Sequence, residues 1–341
     1  MKKNFDKIEQ GPLRPPSERD SLFLRVVRNC PWNKCKFCPA YKNEKFSIRK
    51  SDDIIQEIIQ LKEMNKDKII KNVFLQDGDA LSLPVDELKK ILIALNKNFH
   101  DIERITAYAR SSMLVNRSVK DLKDLKKLGL TRIHVGFESG SDEVLHFMSK
   151  GTSAKKQLEG CLRVKEAEIE LCTYVMPGLG GKKMSKSHIT ETAKMIKQIE
   201  PDHIRFRTTF VLENTPLANE YLNGSFEPLS ELEMVMELKV FLEKTKKINS
   251  TIISDHRINL LFELEGNIKN DYKQMIKIIN DFLNMNQDEQ KLFIAGRRLR
   301  LIKKLDELTN EEKRKKIKKN LIHIKSKFLC PKVYYSKNKI Y

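Results

Sequence analysis

Apolar, β-rich runs alternate with amphipathic helical stretches through the first two-thirds of the chain. Strands are expected at 22–27, 72–76, 104–109, 132–137, 170–175 and 203–211. Helices are expected between them at 52–64, 84–98, 119–128, 153–167 and 185–199. Such alternation specifies a parallel sheet with right-handed crossovers. The pattern fits an open doubly wound sheet and a barrel equally well. Either way, functional groups collect at the carboxyl ends of the strands. The segments there are a cysteine loop, Gln76-Asp77-Gly78-Asp79-Ala80, Arg110-Ser111-Ser112, Glu138-Ser139-Gly140, Met176-Pro177-Gly178-Leu179-Gly180-Gly181 and Glu213-Asn214-Thr215-Pro216. All are polar or glycine-rich, although loops in αβ proteins commonly are. From about residue 229 the strand signal stops. Helices are expected at 229–247, 271–284 and 288–305, with a basic helix at 311–328. The division expected is a Pro-rich leader at 1–19, a core domain at 20–225, and a helical, partly basic extension at 226–341.

Composition narrows the class. The chain has 341 residues, 40% hydrophobic and 33% charged, which suits a globular protein. No apolar run reaches the length of a membrane span. The first residues carry no apolar signal core, so a cytoplasmic protein without a membrane partner is expected. The net charge is +19. Residues 291–341 contribute 17 Lys and Arg against 4 Asp and Glu, most of that excess. A basic tail of this kind can neutralise phosphates of a nucleic acid. A solvated helical face in a lysine-rich chain gives the same pattern and is favoured.

Three of the six cysteines, Cys30, Cys35 and Cys38, fall in one loop spaced C-x4-C-x2-C. No further Cys follows until Cys161, and the first His is His100. Structural zinc closes with four ligands, and ordinary iron–sulfur clusters take four cysteines. Three thiolates on one short loop suggest a cluster with one iron open to a small molecule. Zinc completed by a distant ligand and buried structural cysteines are the alternatives. Disulfides do not suit a chain without a secretory signal.

Cys30, Cys35, Phe37 and Cys38 resemble the cluster loop of the radical S-adenosylmethionine enzymes, with four residues between the first two cysteines where that family usually has three. The branch most similar has the Elp3/MiaB/NifB-type core and includes relatives of magnesium-protoporphyrin monomethyl ester cyclase. The resemblance covers roughly 20–225. It implies an α/β fold, a partial (β/α)6 TIM-type barrel with a C-terminal helical extension. It also implies two cofactors, a 4Fe–4S cluster and S-adenosyl-L-methionine. Cys30, Cys35 and Cys38 would ligate the cluster, with Phe37 beside the adenine. Asp77-Gly78-Asp79 matches the family's glycine-glycine-acidic motif near the methionine amino group, with Asp77 in place of the first glycine. Arg110 would pair with the methionine carboxylate. Glu138 or Ser139 would hydrogen-bond the ribose. Met176 and Gly178 belong to the glycine motif that packs on adenine. No cobalamin-binding domain is expected before residue 20.

Taken singly these matches are weak. Asp-Gly-Asp is an ordinary turn, and Lys150-Gly151 reads equally as a helix cap. Arg205 and Arg207 share one strand face and would bind an acidic substrate if they line a lumen. The 254–259 stretch holds His256, a candidate for proton transfer, though a lone His is usually structural. The implied function is reductive cleavage of S-adenosylmethionine to a 5′-deoxyadenosyl radical acting on an unidentified substrate. An electron donor such as flavodoxin or ferredoxin would supply the reductant. The alternatives are an RNA-modifying enzyme of the same chemistry that grips RNA with the tail, and a non-catalytic metal or electron-transfer module.

Overall fold

The computed structural model describes residues 8–42 and 44–324, with side chains through 320. Cys330 and residues 325–328 of the expected basic helix lie outside the described residues.

The strands are β1 (Leu22–Arg25), β2 (Val27–Arg28), β3 (Ser47–Ile48), β4 (Asn72–Gln76), β5 (Arg104–Arg110), β6 (Leu130–Glu138), β7 (Glu170–Val175), β8 (His203–Phe206), β9 (Thr251–Ile253) and β10 (Gly266–Asn267). The helices are α1 (Ser51–Met64), α2 (Val85–Asn98), α3 (Ser111–Leu114), α4 (Val119–Lys127), α5 (Asp142–Phe147), α6 (Ala154–Glu166), α7 (Gly181–Ile199), α8 (Pro216–Leu222), α9 (Glu231–Thr245), α10 (Ile268–Leu283), α11 (Gln287–Arg298) and α12 (Glu311–Ile324). The main sheet runs β1-β4-β5-β6-β7-β8-β9-β10. The pairs β1–β4, β4–β5, β5–β6 and β8–β9 are parallel, and β9–β10 is antiparallel. All six expected strands and the five helices expected between them are present, so the α/β class and its parallel sheet hold.

Two expectations need correction. The region after residue 229 is not purely helical, because β9 and β10 extend the sheet. Strands of three and two residues are too short to show a period. The sixth strand ends at Phe206 rather than 211. Beyond it, Arg207 and Thr209 donate backbone N–H groups to the carbonyls of Val175 and Pro177 at 3.0 and 2.9 Å. The chain remains extended there without forming a ladder.

The described chain divides into two compact units. One comprises the chain up to Phe137 with Gly151–Thr173, the other Glu138–Lys150 with the chain from Tyr174 onward. In the first unit, α1 buries Ile54, Ile58 and Leu61 on one face, and α2 buries Leu88, Ile91, Leu92 and Leu95. Successive residues Val73, Phe74 and Leu75 of β4 are all buried, as expected of a parallel strand covered on both faces. Each such side chain contributes about 1.5–3 kcal/mol. The 8–20 stretch is tied down by charge. Glu9 pairs with Arg25 at 2.9 Å, Arg28 at 2.8 Å and Arg49 at 3.5 Å. Buried Glu18 accepts from Ser21 at 2.7 Å and lies 3.2 Å from His134 Nε2.

In the second unit, α7 turns Met184, His188 and Thr192 inward at helical spacing. Ser230 and Glu233 form a reciprocal capping box that starts α9. Phe282 of α10 and Phe293 of α11 meet with ring centroids 5.8 Å apart. Among the described residues no helix is long and apolar enough to cross a membrane.

Candidate functional site

The cysteine loop hangs from a short antiparallel neck. After β1 the chain leaves the main sheet, and β2 pairs with β3 through Val27 with Ile48 and Arg28 with Ser47. Inside the loop, Asn29 and Asn33 take positive φ of 70° and 48°, which asparagine tolerates better than most residues. Cys38 N–H donates to the Cys35 carbonyl at 3.3 Å. Lys42 Nζ donates to the carbonyls of Asn33 and Cys35 at 3.1 and 2.8 Å. Cys30, Cys35 and Cys38 are all half-buried, and none of the five described cysteines forms a disulfide. Cys161 contrasts with them, because full burial pushes its thiol up to about 12. Phe37 lies half-buried between Cys35 and Cys38.

The turn after β4 packs directly on this loop. Gly78 N–H donates to the Asn29 carbonyl at 3.2 Å. A Cβ on Gly78 would stand 2.9 Å from Cys30 Cβ and 3.1 Å from its Cα. Asp77, in the family's glycine position, is buried and has a glycine-like φ of 122°. Its carboxylate is fully engaged within the protein. It accepts from Arg25 Nε at 2.6 Å, Asn29 N–H at 3.1 Å and Tyr41 Oη at 3.0 Å. A Cβ on Gly11 would come within 2.3 Å of Asp77 Oδ1, so the leader passes against this carboxylate. Asp77 therefore joins β1, the start of the cysteine loop and the leader.

Asp79 is different. It is buried, and neither oxygen has a hydrogen-bond partner of good geometry among the described residues. Burial pushes its carboxyl up to about 7, opposed by the charges of Arg110 and Arg117 and by nearby backbone N–H groups. Arg110 ends β5 and lies 5.3 Å over the Trp32 ring. Gly151, with φ of 70°, packs on the other residues' shared neighbour: its Cβ would fall 2.3 Å from Trp32 Cε2. Within the first unit the single tryptophan thus links the cysteine loop to Arg110 and to Gly151.

The second unit carries the other expected residues. Glu138 adopts φ of 58° and forms a buried ion pair with Lys150. Met176 N–H donates to the Glu138 carbonyl at 3.1 Å. Ser139 is fully buried, its Oγ 2.8 Å from His188 Nδ1, and His188 Nε2 lies 3.0 Å from the Met176 carbonyl. A carbonyl only accepts, so Nε2 carries the proton and Nδ1 accepts the Ser139 hydroxyl proton. Burial pushes His188 down to about 4, keeping it neutral. Gly178, with φ of 80°, donates its N–H to Glu237 Oε2 at 2.7 Å, and Ser185 Oγ donates to Glu237 Oε1 at 2.5 Å.

Sequence reasoning missed Asp77's partners Arg25 and Tyr41, and also Trp32, His188 and Glu237. The inward row at 184, 188 and 192 is visible as helical spacing, but spacing does not say which loops it supports. Arg205 is buried and paired with Asp255 at 3.1 Å, while Arg207 is half-buried.

Glu237 yields a prediction. Burial raises its carboxyl to about 7 from 4.5. Between those values the folded protein holds a proton that the unfolded chain has released. Stability due to this group is therefore present at low pH and lost as pH rises through 7. The shift corresponds to roughly 3 kcal/mol at most. Glu237→Gln should remove this contribution to the pH slope. Melting temperatures at pH 5 and pH 8 should lie closer together in the variant, by several degrees; equal gaps in both proteins would contradict the assignment.

The donor set fits an iron–sulfur cluster: three half-buried thiols on one braced loop, with a buried acid and an arginine near it in the same unit. Among the described residues, no three His, Cys, Asp or Glu are gathered closely enough for a single metal ion. In a cluster the three thiolates bind three different irons.

A family model described as the Radical SAM superfamily matches residues 24–196. A tRNA uridine(34) acetyltransferase of Methanocaldococcus infernus is 23% identical over 60% of this chain and 46% of its own length. A tRNA-2-methylthio-N(6)-dimethylallyladenosine synthase of Neisseria meningitidis is 27% identical over 73% of this chain and 57% of its own. The chain thus spans about half the length of these curated relatives. Among solved structures, coproporphyrinogen III oxidase from Escherichia coli, described as a radical SAM enzyme, aligns with a TM-score of 0.54 at 17% identity, over 66% of this chain and 52% of that one.

Proposed function

The chain belongs to the radical SAM superfamily, enzymes that use a 4Fe–4S cluster and S-adenosylmethionine, and from that premise we propose that Cys30, Cys35 and Cys38 hold the cluster. A cluster held there would, when bound, supply the one-electron reduction that cleaves S-adenosylmethionine for 5′-deoxyadenosyl radical chemistry on a substrate. The family sets aside the non-catalytic module. The protein needs a reductant and a substrate, and a low-potential donor such as flavodoxin or ferredoxin suits the first.

This chain's own residues do the holding. Asp79 offers the methionine ammonium two buried oxygens that no hydrogen bond of good geometry takes up among the described residues, and Arg110 offers its guanidinium to the carboxylate. The Asp77 carboxylate braces the loop, which leaves its main chain for the methionine amino group. In the second unit Glu138 is kept as the ribose acceptor. Ser139 acts behind it, because its proton is engaged by His188. Met176 and Gly178 present the adenine-side surface, held by Glu237. The observation that carries this reading is the contact of the Gly78 backbone with Cys30. It registers the thiol loop against the Asp77–Asp79 turn. The test is anaerobic reconstitution with iron and sulfide, reduction by dithionite, and measurement of 5′-deoxyadenosine. Protein that binds iron and sulfide yet makes none overturns the reading.

A second reading concerns the substrate. Both curated relatives bear names of tRNA-modifying enzymes. On α12, Ile317 is buried while Lys315, Lys316, Lys318 and Lys319 are exposed. RNA is the substrate class this favours. Binding of tRNA should weaken at least about tenfold between 50 and 200 mM salt. The same dissociation constant at both salts would exclude a phosphate grip.

A further inference from the structure

One polar cluster of the second unit is not used by the cofactor residues. It is held with unusual completeness. Asn259 Oδ1 accepts from Thr208 N–H at 2.9 Å and Thr208 Oγ1 at 3.1 Å, and its Nδ2 donates to the Phe206 carbonyl at 2.9 Å. These bonds fasten the 254–259 turn to the chain leaving β8. From the other side, Arg297 donates to the carbonyls of Asn259 and Leu260 at 2.7 and 2.8 Å, and Arg298 to that of Ile258 at 2.7 Å. Ser254 Oγ donates to the Leu261 carbonyl at 2.7 Å. A turn fixed this firmly presents Asp255, His256 and Arg257 in one arrangement.

We propose that this turn and the carboxyl ends of β8 and β9 form a recognition site for an oxyanion of the substrate, a carboxylate or phosphate group, with Arg205 and Arg207 as its cations. Arg205 and Ile253 are register partners on the parallel strands β8 and β9. The site therefore sits at the strand ends where αβ proteins place ligands. Arg205 is buried, 3.1 Å from Asp255 Oδ2, with its guanidinium 5.8 Å over the Tyr174 ring. Arg207 is two residues on, half-buried, and has no ion-pair partner among the described residues. An anion answers that uncompensated charge. Asp255 Oδ1 is buried without a hydrogen-bond partner and can accept from an N–H or O–H of the same ligand.

His256 fits this role. Burial, then the charges of Arg207, Arg257 and Arg205, push its imidazole down to about 3, so it is neutral. Its Nδ1 accepts from Ile258 N–H at 3.4 Å, which leaves Nε2–H as a donor. It serves as a neutral hydrogen-bond donor rather than a cationic acid.

The inference rests on the enzyme reading only for what happens to the bound ligand. The test uses cluster-loaded protein without S-adenosylmethionine, titrated calorimetrically with inorganic phosphate and separately with malonate. One saturable site is expected for at least one probe, and the preferred probe separates phosphate from carboxylate. Arg207→Ala should weaken it at least about tenfold, and Arg207→Lys by less, with unchanged circular dichroism. No saturable binding by either probe, or equal affinity in Arg207→Ala, overturns the site. Because the cleavage assay is separate, anion binding without 5′-deoxyadenosine formation defeats the enzyme reading alone.

Discussion

Cys35→Ala is expected to lower 5′-deoxyadenosine formation by at least about a hundredfold, since loss of even an outer support of a metal ligand costs 10–100-fold. The expectation is specific to the thiol. The Cys35 carbonyl accepts from Lys42 Nζ and from Cys38 N–H, and those bonds use main-chain oxygen that alanine retains. The loop should therefore keep its course while the cluster loses one of three anchors. Iron and sulfide content and product should fall together. Cys161→Ala is the control, because that thiol is buried in α6 and far from ionising. Undiminished product from Cys35→Ala would refute the ligand assignment.

Gly78→Ala should also lower product formation, on the order of tenfold, by a different route. Its φ is not one that demands glycine; the space is the constraint. The added methyl carbon would meet Cys30 Cβ at 2.9 Å, Cys30 Cα at 3.1 Å and the Asn29 carbonyl oxygen at 3.2 Å. Two of these three atoms are backbone and cannot rotate away. Either the cysteine loop or the turn must move by some tenths of an ångström. Displacement near 1 Å at a reacting centre costs on the order of a hundredfold in rate. Iron should still be incorporated, because all three thiols remain. The variant should lose affinity for S-adenosylmethionine and product formation. Wild-type affinity in Gly78→Ala would show that the two loops are not registered through this glycine.

The alternation of strands and helices was legible because each β/α unit is long enough to show its period. The additions were not. β9 has three residues and β10 two, and neither length can carry a pattern. The thiol triplet was legible from spacing alone, being local. Asp77 was not, because what makes it structural lies far off in sequence at Arg25, Asn29 and Tyr41. It occupies a family glycine position and keeps the glycine-like backbone angle. Three hydrogen bonds to its carboxylate offset the strain, which is of order 1–3 kcal/mol for such a conformation. Ser139 shows the same limit. Its motif pointed to a ligand contact, while the proton's engagement by His188 required seeing α7 folded against the strand end.

The charge ties of the leader bear on how this protein can be trimmed. A fragment cut to the matched span, 24–196, would lack Glu9 and Gly11. Glu9 counters Arg25, Arg28 and Arg49 together. Without it, Arg28 would lose its carboxylate partner at the base of the thiol loop, while Arg25 and Arg49 would keep only Asp77 and Glu57. A minimal catalytic fragment should therefore begin no later than residue 8, well ahead of the border that sequence similarity alone would draw.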